Sequence, residues 1–286
     1  MTKLLYGKPI IEEQMPLLRS RSMRLAEKGH MPCLAVVRLG ENSEDLSYEK
    51  SIKTKATDAG VTVKSVCLPI EAAQEELRNT IVELGKNEEV DGILVFRPLP
   101  AGYDEKYVLS AIPVGKDVDG VTALSMAGIF SGKEETGFAP CTAEAVLKML
   151  DHYGYDPAGK SVVVVGRSLV IGKPVAMLLL DRNATVSICH SRTKDIDSVI
   201  SGAEILIVCA GLAKNGPGSG IRQDQLKEGQ VVIDVGIHWS EEDGLYGDVA
   251  PEVKDGPVEA VSPVPGGLGN VTTLVMFEHV IRAAER

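Results

Sequence analysis

The residues best equipped for chemistry stand in one run, Ser161 to Pro174, SVVVVGRSLVIGKP. Val162 to Val165 form an unbroken β-branched stretch of the kind buried on both faces of a parallel sheet, and Gly166 ends it. Gly172 and Pro174 then open a helix that continues through Leu180, with the proline near the first turn, where its missing N–H costs nothing. A strand that turns on glycine into a helix aims N–H groups and the positive dipole end at a bound anion. Gly166, Arg167, Ser168 and Gly172 therefore read as a phosphate site. The spacing Gly166-x5-Gly172 departs from the G-x-G-x-x-G fingerprint, so it is weak as a motif alone. A second run, Thr185 to Cys189, follows at the distance a βαβ unit requires and ends where such units read the adenosine ribose. An acidic residue there would select NAD. This chain has His190-Ser191-Arg192 instead. Together with Arg167, Ser191 and Arg192 suit a 2′-phosphate, and hence NADP, because arginine pairs with anions through charge-assisted, often bidentate bonds. A structural βαβ turn with surface arginines remains open on these residues alone.

The elements that must position this site alternate along the chain. A helical stretch, Ile10 to Lys28, leads to a buried-type strand from Cys33 to Val37. Glu44 and Asp45 place negative charge in the first turn of the next helix, which Gly60 ends. A strand (Val61 to Leu68), a helix (Ala72 to Leu84), a third strand (Asp91 to Phe96) and the rigid Arg97-Pro98-Leu99-Pro100 follow. A short helical stretch (Glu105 to Ala111), the loop Lys116-Asp117-Val118-Asp119-Gly120 and a helix (Thr142 to Tyr153) lead to the glycine turn. Strands at Ile205 to Cys209 and Val231 to Val235 continue a second sheet, and Ala260-Val261-Ser262 closes it. Thr272 to Ala284 has the pattern of an amphipathic helix, which with no strand left to pair returns to pack on the first domain. The alternation predicts an α/β protein with parallel sheets, in which ligands sit at the carboxyl ends of the strands.

Composition limits the partners. The 286 residues are enough for two domains. A hydrophobic content of 44% and a charged content of 24% are ordinary for a globular protein. A net charge of −10 argues against a nucleic-acid or anionic-membrane surface. No apolar run approaches the roughly 20 residues that cross a bilayer, and the N-terminal stretch carries acids, so a cytoplasmic location is expected. The five cysteines are odd in number and scattered, with no C-x-x-C pair, and the five histidines include no H-E-x-x-H pair. No metal is expected.

Six ordered blocks carry a resemblance that spans nearly the whole chain: S-Y-E-K at Ser47 to Lys50, G-I-L-V-F-R-P-L-P at Gly92 to Pro100, K-D-V-D-G at Lys116 to Gly120, P-C-T at Pro140 to Thr142, G-R-S-x3-G-x-P at Gly166 to Pro174, and P-V-P-G-G at Pro263 to Gly267. Together they resemble the methylenetetrahydrofolate dehydrogenase/methenyltetrahydrofolate cyclohydrolase family. The resemblance implies a folate-binding domain over residues 1–140, completed by a helix over 271–286. It also implies a Rossmann-like NADP-binding domain over 141–270, a cleft between the two, and a homodimer. By the family's pattern Tyr48 stacks on the folate and Asp119 accepts from the pterin N–H groups. Phe96, Pro98, Leu99, Pro265 and Gly266 line the folate, and Ile237 joins Gly166, Arg167, Ser168, Gly172, Ser191 and Arg192 at the cofactor. For Tyr48, a half-buried packing role on its helix is the competing reading, and for Asp119 a turn-forming role before Gly120.

The departures are as informative. Members that catalyse both reactions carry a lysine four residues after the helix tyrosine and a glutamine on the third strand, and hydrolyse the methenyl product with them. Here those positions hold Ile52 and Phe96, and the block usually written Q-L-P-L-P is Phe96-Arg97-Pro98-Leu99-Pro100. The expectation is an NADP-dependent methylenetetrahydrofolate dehydrogenase with weak or absent cyclohydrolase activity. The alternative is a bifunctional enzyme producing 10-formyltetrahydrofolate, with Lys55 as a displaced catalytic lysine on the face that Tyr48 occupies, about one turn beyond Ile52. A non-catalytic NADP-sensing module would not need Tyr48, Asp119 and the P-V-P-G-G loop, and an amino-acid or shikimate-type dehydrogenase would need a Lys/Asp acid–base pair.

Overall fold

The computed structural model describes residues 1–132 and 136–286. In chain order the elements are β1 (Lys3–Leu4), α1 (Gly7–Glu27), β2 (Cys33–Leu39), α2 (Ser43–Ala59), β3 (Thr62–Leu68), α3 (Gln74–Lys86), β4 (Gly92–Val95), α4 (Glu105–Leu109), α5 (Ala123–Ser131) and α6 (Cys141–Tyr153). They continue with β5 (Ser161–Val165), α7 (Gly172–Asp181), β6 (Thr185–Cys189), α8 (Ile196–Ser201), β7 (Ile205–Val208), β8 (Val231–Asp234), β9 (His238–Ser240), β10 (Gly244–Tyr246), β11 (Ala260–Val261) and α9 (Gly269–Ala284). The chain is α/β and forms two compact units, one of residues 1–11 and 142–272, the other of residues 12–141 and 273–286.

The unit of residues 12–141 and 273–286 holds a parallel sheet in the order β3-β2-β4. The middle strand, β2, is buried from Leu34 to Leu39, as a strand covered on both faces must be, whereas the edge strand β3 alternates in exposure. Asn42 caps α2 by accepting the Asp45 N–H at 2.8 Å, and Gly60 ends it at φ 72°, a left-handed angle that glycine takes without strain. Between α2 and the sheet lies a buried ion network. Glu49 accepts from Arg38 Nε at 2.6 Å and from the Ser65 hydroxyl, and pairs with Lys53 Nζ at 2.7 Å. Residues 273–286, most of the last helix, belong to this unit: Phe277, Val280 and Ile281 are fully buried, His279 Nδ1 lies 2.8 Å from the Val118 carbonyl, and Arg21 meets Glu285 at 2.6 Å.

The other unit holds a six-stranded sheet in the order β1-β11-β8-β7-β5-β6, parallel throughout. The chain runs from β5 outward to β6, then crosses back to β7 on the other side of β5. That reversal is the switch point at which doubly wound sheets bind ligands. All four valines of β5 are at most 2% exposed. Two features differ from the sequence reading. Residues 1–11 belong with this sheet and not with residues 12–141, because Lys3 and Leu4 pair in parallel with Ala260 and Val261. The sheet therefore ends on β1 and not on β11. A two-residue strand is too short to show a period, which is why it left no signal. The second difference is the antiparallel hairpin β9–β10, for which Asp243-Gly244 at its turn is the sequence signal.

Candidate active site

Of the residues expected at the cofactor, Gly166, Arg167, Ser168 and Ser191 gather at the switch point. A cavity of about 380 Å³ opens at the carboxyl ends of β5, β6 and β7, and Gly166, Arg167, Ser168, Ser191, Ala210 and Leu212 are among its lining residues. Glycine is required here. Gly166 sits at φ 136°, and a Cβ on it would lie 2.6 Å from the Cys209 carbonyl oxygen; a Cβ on Gly172 would lie 2.4 Å from the Gly166 oxygen. The close approach of α7 to the end of β5 thus depends on Gly172, and that of the segment after β7 on Gly166. Gly172 is buried and supports the turn from behind.

The helix N-terminus differs from the expectation of outward-facing N–H groups. Ile171 and Gly172 donate to the Ser168 hydroxyl at 3.1 and 3.5 Å, Lys173 donates to the Ser168 carbonyl at 3.0 Å, and Pro174 has no N–H. Ser168 is a local cap, a role serine takes readily before a helix, so recognition of an anion falls to side chains. Arg167 and Ser191 supply them. Ser191 is presented by a turn that ties itself: His190 donates its N–H to Thr193 Oγ1 at 2.9 Å, and the Arg192 N–H donates to His190 Nδ1 at 3.1 Å. Arg192 is exposed but does not line the cavity, and neither does Ile237, which is 66% exposed after β8. An open arginine and a serine over a glycine floor fit the 2′-phosphate end of a dinucleotide. Cys209, also in the lining, is a poor nucleophile: burial, with the charge of Asp248, pushes its thiol up to about 12.

In the other unit the structure brings together Tyr48, Phe96, Arg97 and Asp119. The rings of Tyr48 and Phe96 lie 5.2 Å apart at 34°. Desolvation of the Tyr48 phenol, with Asp119 nearby, pushes it up to about 12, so the hydroxyl stays protonated at neutral pH. Asp119 is not the turn-former of its loop. That role belongs to Asp117, which is fully buried and accepts from the N–H groups of Val121 and Thr122 at 3.0 and 2.8 Å and from the Ser125 hydroxyl at 2.6 Å. Gly120 follows at φ 65°, where a Cβ would lie 2.5 Å from the main chain of Ala139. The Asp119 carboxylate is thereby left to Arg97, whose Nη2 donates to it at 3.0 Å. Burial raises the Asp119 pKa, and Arg97 opposes the rise. Arg97 also lies 3.7 Å from Glu105. Ile52 is fully buried in α2, Leu99 packs against the unit's core, and Pro98 is exposed. Lys55 is half-buried, with its pKa lowered by desolvation.

Pro265 and Gly266 belong to the unit of residues 1–11 and 142–272. The Gly266 carbonyl accepts the Gly7 N–H at 2.9 Å, and a Cβ on Gly7 would lie 2.3 Å from the Gly267 oxygen. One polar cluster carries no sequence expectation: the buried Asp234 and Asp248, with the half-buried His238 beside them. Asp234 accepts three main-chain N–H groups, from Gly236, Asp248 and Val249 at 2.9 to 3.0 Å. Burial, with Asp248 beside it, nonetheless pushes its carboxyl up to about 7. The available signal was an aspartate ending the apolar run Val231-Val232-Ile233, followed by D-x-G and G-D pairs. Among the described residues no helix is long and apolar enough to cross a membrane, and no His, Cys, Asp and Glu residues are grouped to hold a metal ion.

Comparison with known proteins agrees on one family across the chain. The model of the tetrahydrofolate dehydrogenase/cyclohydrolase catalytic domain matches residues 5–119, and that of the tetrahydrofolate dehydrogenase/cyclohydrolase NAD(P)-binding domain matches residues 140–286. The bifunctional protein FolD of Carboxydothermus hydrogenoformans is 42% identical over 100% of this chain and 98% of its own. Among solved structures, the bifunctional enzyme FolD of Campylobacter jejuni superposes with a TM-score of 0.94 at 35% identity, covering 100% of this chain and 99% of that one. The Trypanosoma brucei methylenetetrahydrofolate dehydrogenase-cyclohydrolase, described as complexed with NADP cofactor and inhibitor, gives 0.91 at 30%, covering 100% and 98%.

Proposed function

The chain belongs to the tetrahydrofolate dehydrogenase/cyclohydrolase family, and from that premise we propose that it is an NADP-dependent 5,10-methylenetetrahydrofolate dehydrogenase of one-carbon metabolism with little cyclohydrolase activity. It works as a cytoplasmic homodimer. The observation that carries the reading is the placing of Arg167 and Ser191 in one cavity at the switch point. NADP, when bound, supplies the acceptor for a hydride. The substrate's methylene carbon lies between two nitrogens whose lone pairs stabilise the cation left behind, so the step needs positioning more than an acid or base. Tyr48 offers a ring and a protonated hydroxyl for that positioning. Asp119, with Arg97 favouring its ionised form, offers an acceptor to the pterin N–H groups.

A spectrophotometric assay of NADP reduction, with methylenetetrahydrofolate against a panel of amino and hydroxy acids, tests the reading; reduction only with the latter would end it. Arg167→Ala is expected to raise the NADP Michaelis constant about ten-fold to a hundred-fold, the worth of one charge-assisted contact at roughly 1.5–3 kcal/mol, with little effect on NAD. Equal efficiency with both cofactors in the unmodified protein would count against the assignment of the 2′-phosphate. Asp119→Ala is expected to weaken folate binding by about 1–3 kcal/mol, the cost of an unpaired buried polar edge, while NADP binding holds. Calorimetry with unchanged folate affinity would remove Asp119 from the site. A second reading, the bifunctional enzyme, is favoured by the bifunctional naming of the relatives and by the lowered pKa of Lys55.

A further inference from the structure

Asp248 is fully buried, and its carboxylate meets four main-chain N–H groups and a histidine ring. One oxygen accepts the N–H groups of Ala210 and Gly211 at 3.2 and 2.8 Å. The other accepts those of Leu212 and Ala213, the latter at 3.1 Å, and lies 2.8 Å from His238 Nε2. Four successive N–H groups converging on one point make an anion nest. Here the nest is filled by the protein's own carboxylate, so those donors turn inward and the segment shows the cavity its Ala210 and Leu212 side.

The surroundings are cut to this group. A Cβ on Gly236 would lie 2.5 Å from the Asp248 Cγ, one on Gly220 would lie 1.9 Å from its carbonyl oxygen, and one on Gly247 would lie 2.0 Å from Asp234 Oδ2. Asp234 holds the Asp248 main chain through its N–H at 3.0 Å, and Ile221 donates to the Asp248 carbonyl at 2.8 Å. His238, stacked on Tyr246 with ring centres 5.3 Å apart, ties the segment that follows Ile237 to the same carboxylate. Asp248 thus joins the loops that leave β7 and β8, and the first of these lines the cavity through Ala210 and Leu212.

We propose that Asp248 is a positioning residue for dinucleotide binding: its buried carboxylate holds the main chain of residues 210–213 and, through His238, the segment after Ile237 in the geometry that receives the cofactor. The proposal rests on the reading of the switch-point cavity as the NADP site. It distinguishes two parts of that site. Arg167 and Ser191 recognise what NADP has and NAD lacks, whereas the wall held by Asp248 serves what both share.

The test is calorimetric titration of full-length Asp248→Asn, His238→Gln and Arg167→Ala with NADP and with NAD, beside thermal melting. An asparagine presents an NH2 group toward one pair of N–H donors and repels them. Asp248→Asn is therefore expected to weaken NADP and NAD binding by the same factor, ten-fold or more, leaving their ratio unchanged. His238→Gln is expected to weaken both about three-fold. Arg167→Ala weakens NADP alone. A carboxylate that served folding only would lower the melting temperature and the binding stoichiometry and leave the dissociation constant of the folded fraction unaltered, which would overturn the proposal. Should Asp248→Asn yield no folded protein, His238→Gln decides, and unchanged affinity for both cofactors overturns it. If Arg167→Ala leaves NADP affinity unchanged, it is the reading of the cavity that fails.

Discussion

On the proposed reading, methenyltetrahydrofolate is expected to accumulate when the protein oxidises its methylene substrate with NADP, because Ile52 and Phe96 offer hydrolysis of the product no proton carrier. Water must be activated against a cation and a proton moved, work for which a lysine of tuned pKa is suited and an alkyl group is not. Ile52 stands four residues after Tyr48, on the same helix face, and is fully buried. The strand position that holds the lysine in bifunctional members carries Phe96, whose ring packs against Tyr48 at 5.2 Å and offers no hydrogen bond. Where the family's pattern implies a polar pair this chain has an apolar one, and each member is packed. The neighbouring lysines do not restore it. Lys53 is engaged with Glu49 at 2.7 Å. Lys55 has its pKa lowered by desolvation, which favours the neutral amine a base needs, but it lies about one turn beyond Ile52. General acid–base catalysis is worth about 10²–10⁴-fold, so the hydrolytic rate is expected to fall short of a lysine-bearing family member by that order. The measurement is the decay of methenyltetrahydrofolate absorbance with and without protein. Decay well above the buffer rate that Lys55→Ala abolishes would establish the bifunctional reading and make Lys55 the catalytic lysine.

How much of this was legible in the sequence depends on the range of the interactions involved. The β5 valines, the Gly166 turn and the Thr185 to Cys189 run announce themselves because burial on both faces and a βαβ spacing are local patterns, and the strands, register and switch point agree with them. The position of Arg167 and Ser191 at strand ends was legible for the same reason, as each follows a readable strand. The inward turning of the α7 N–H groups was not, since it depends on the rotamer of Ser168. Asp117 and Asp119 look alike in K-D-V-D-G. Only the fold shows that the first fills the loop and the second meets Arg97, 22 residues away in sequence. Asp248 was the least legible, because its donors lie 35 to 38 residues upstream and are main-chain groups, which carry no sequence signature.

Glu49→Gln is expected to cost the protein about 3–5 kcal/mol, the usual penalty for removing one partner from a buried ionic network. Glu49 and Arg38 are 5% and 10% exposed in their side chains, and the carboxylate also takes Lys53 and the Ser65 hydroxyl. Arg38 has further contacts with the Gly40 carbonyl and Cys67, so α2 is fastened at one residue to both β2 and β3. Burial works against the charge on Glu49, yet the hydrogen bonds from Lys53, Ser65 and Arg38 outweigh it and hold the carboxyl at about 2, from an ordinary 4.5. The sign follows from linkage. A carboxyl whose folded pKa is depressed adds stability that is fully present above the unfolded value, and loses it as the pH falls through the folded value. The window is therefore pH 4.5 down to about 2, and a shift of that size is worth roughly 3 kcal/mol at neutral pH. Urea unfolding across this range should show the unmodified protein losing stability steeply and Glu49→Gln, already weaker at pH 7, losing much less. Equal slopes in the two proteins would remove Glu49 as the source. Because Tyr48 is the preceding residue on α2, the same anchor fixes the helix that presents its ring, and a folate Michaelis constant that rises in Glu49→Gln while the NADP constant holds would show that this charge cluster reaches the site through α2.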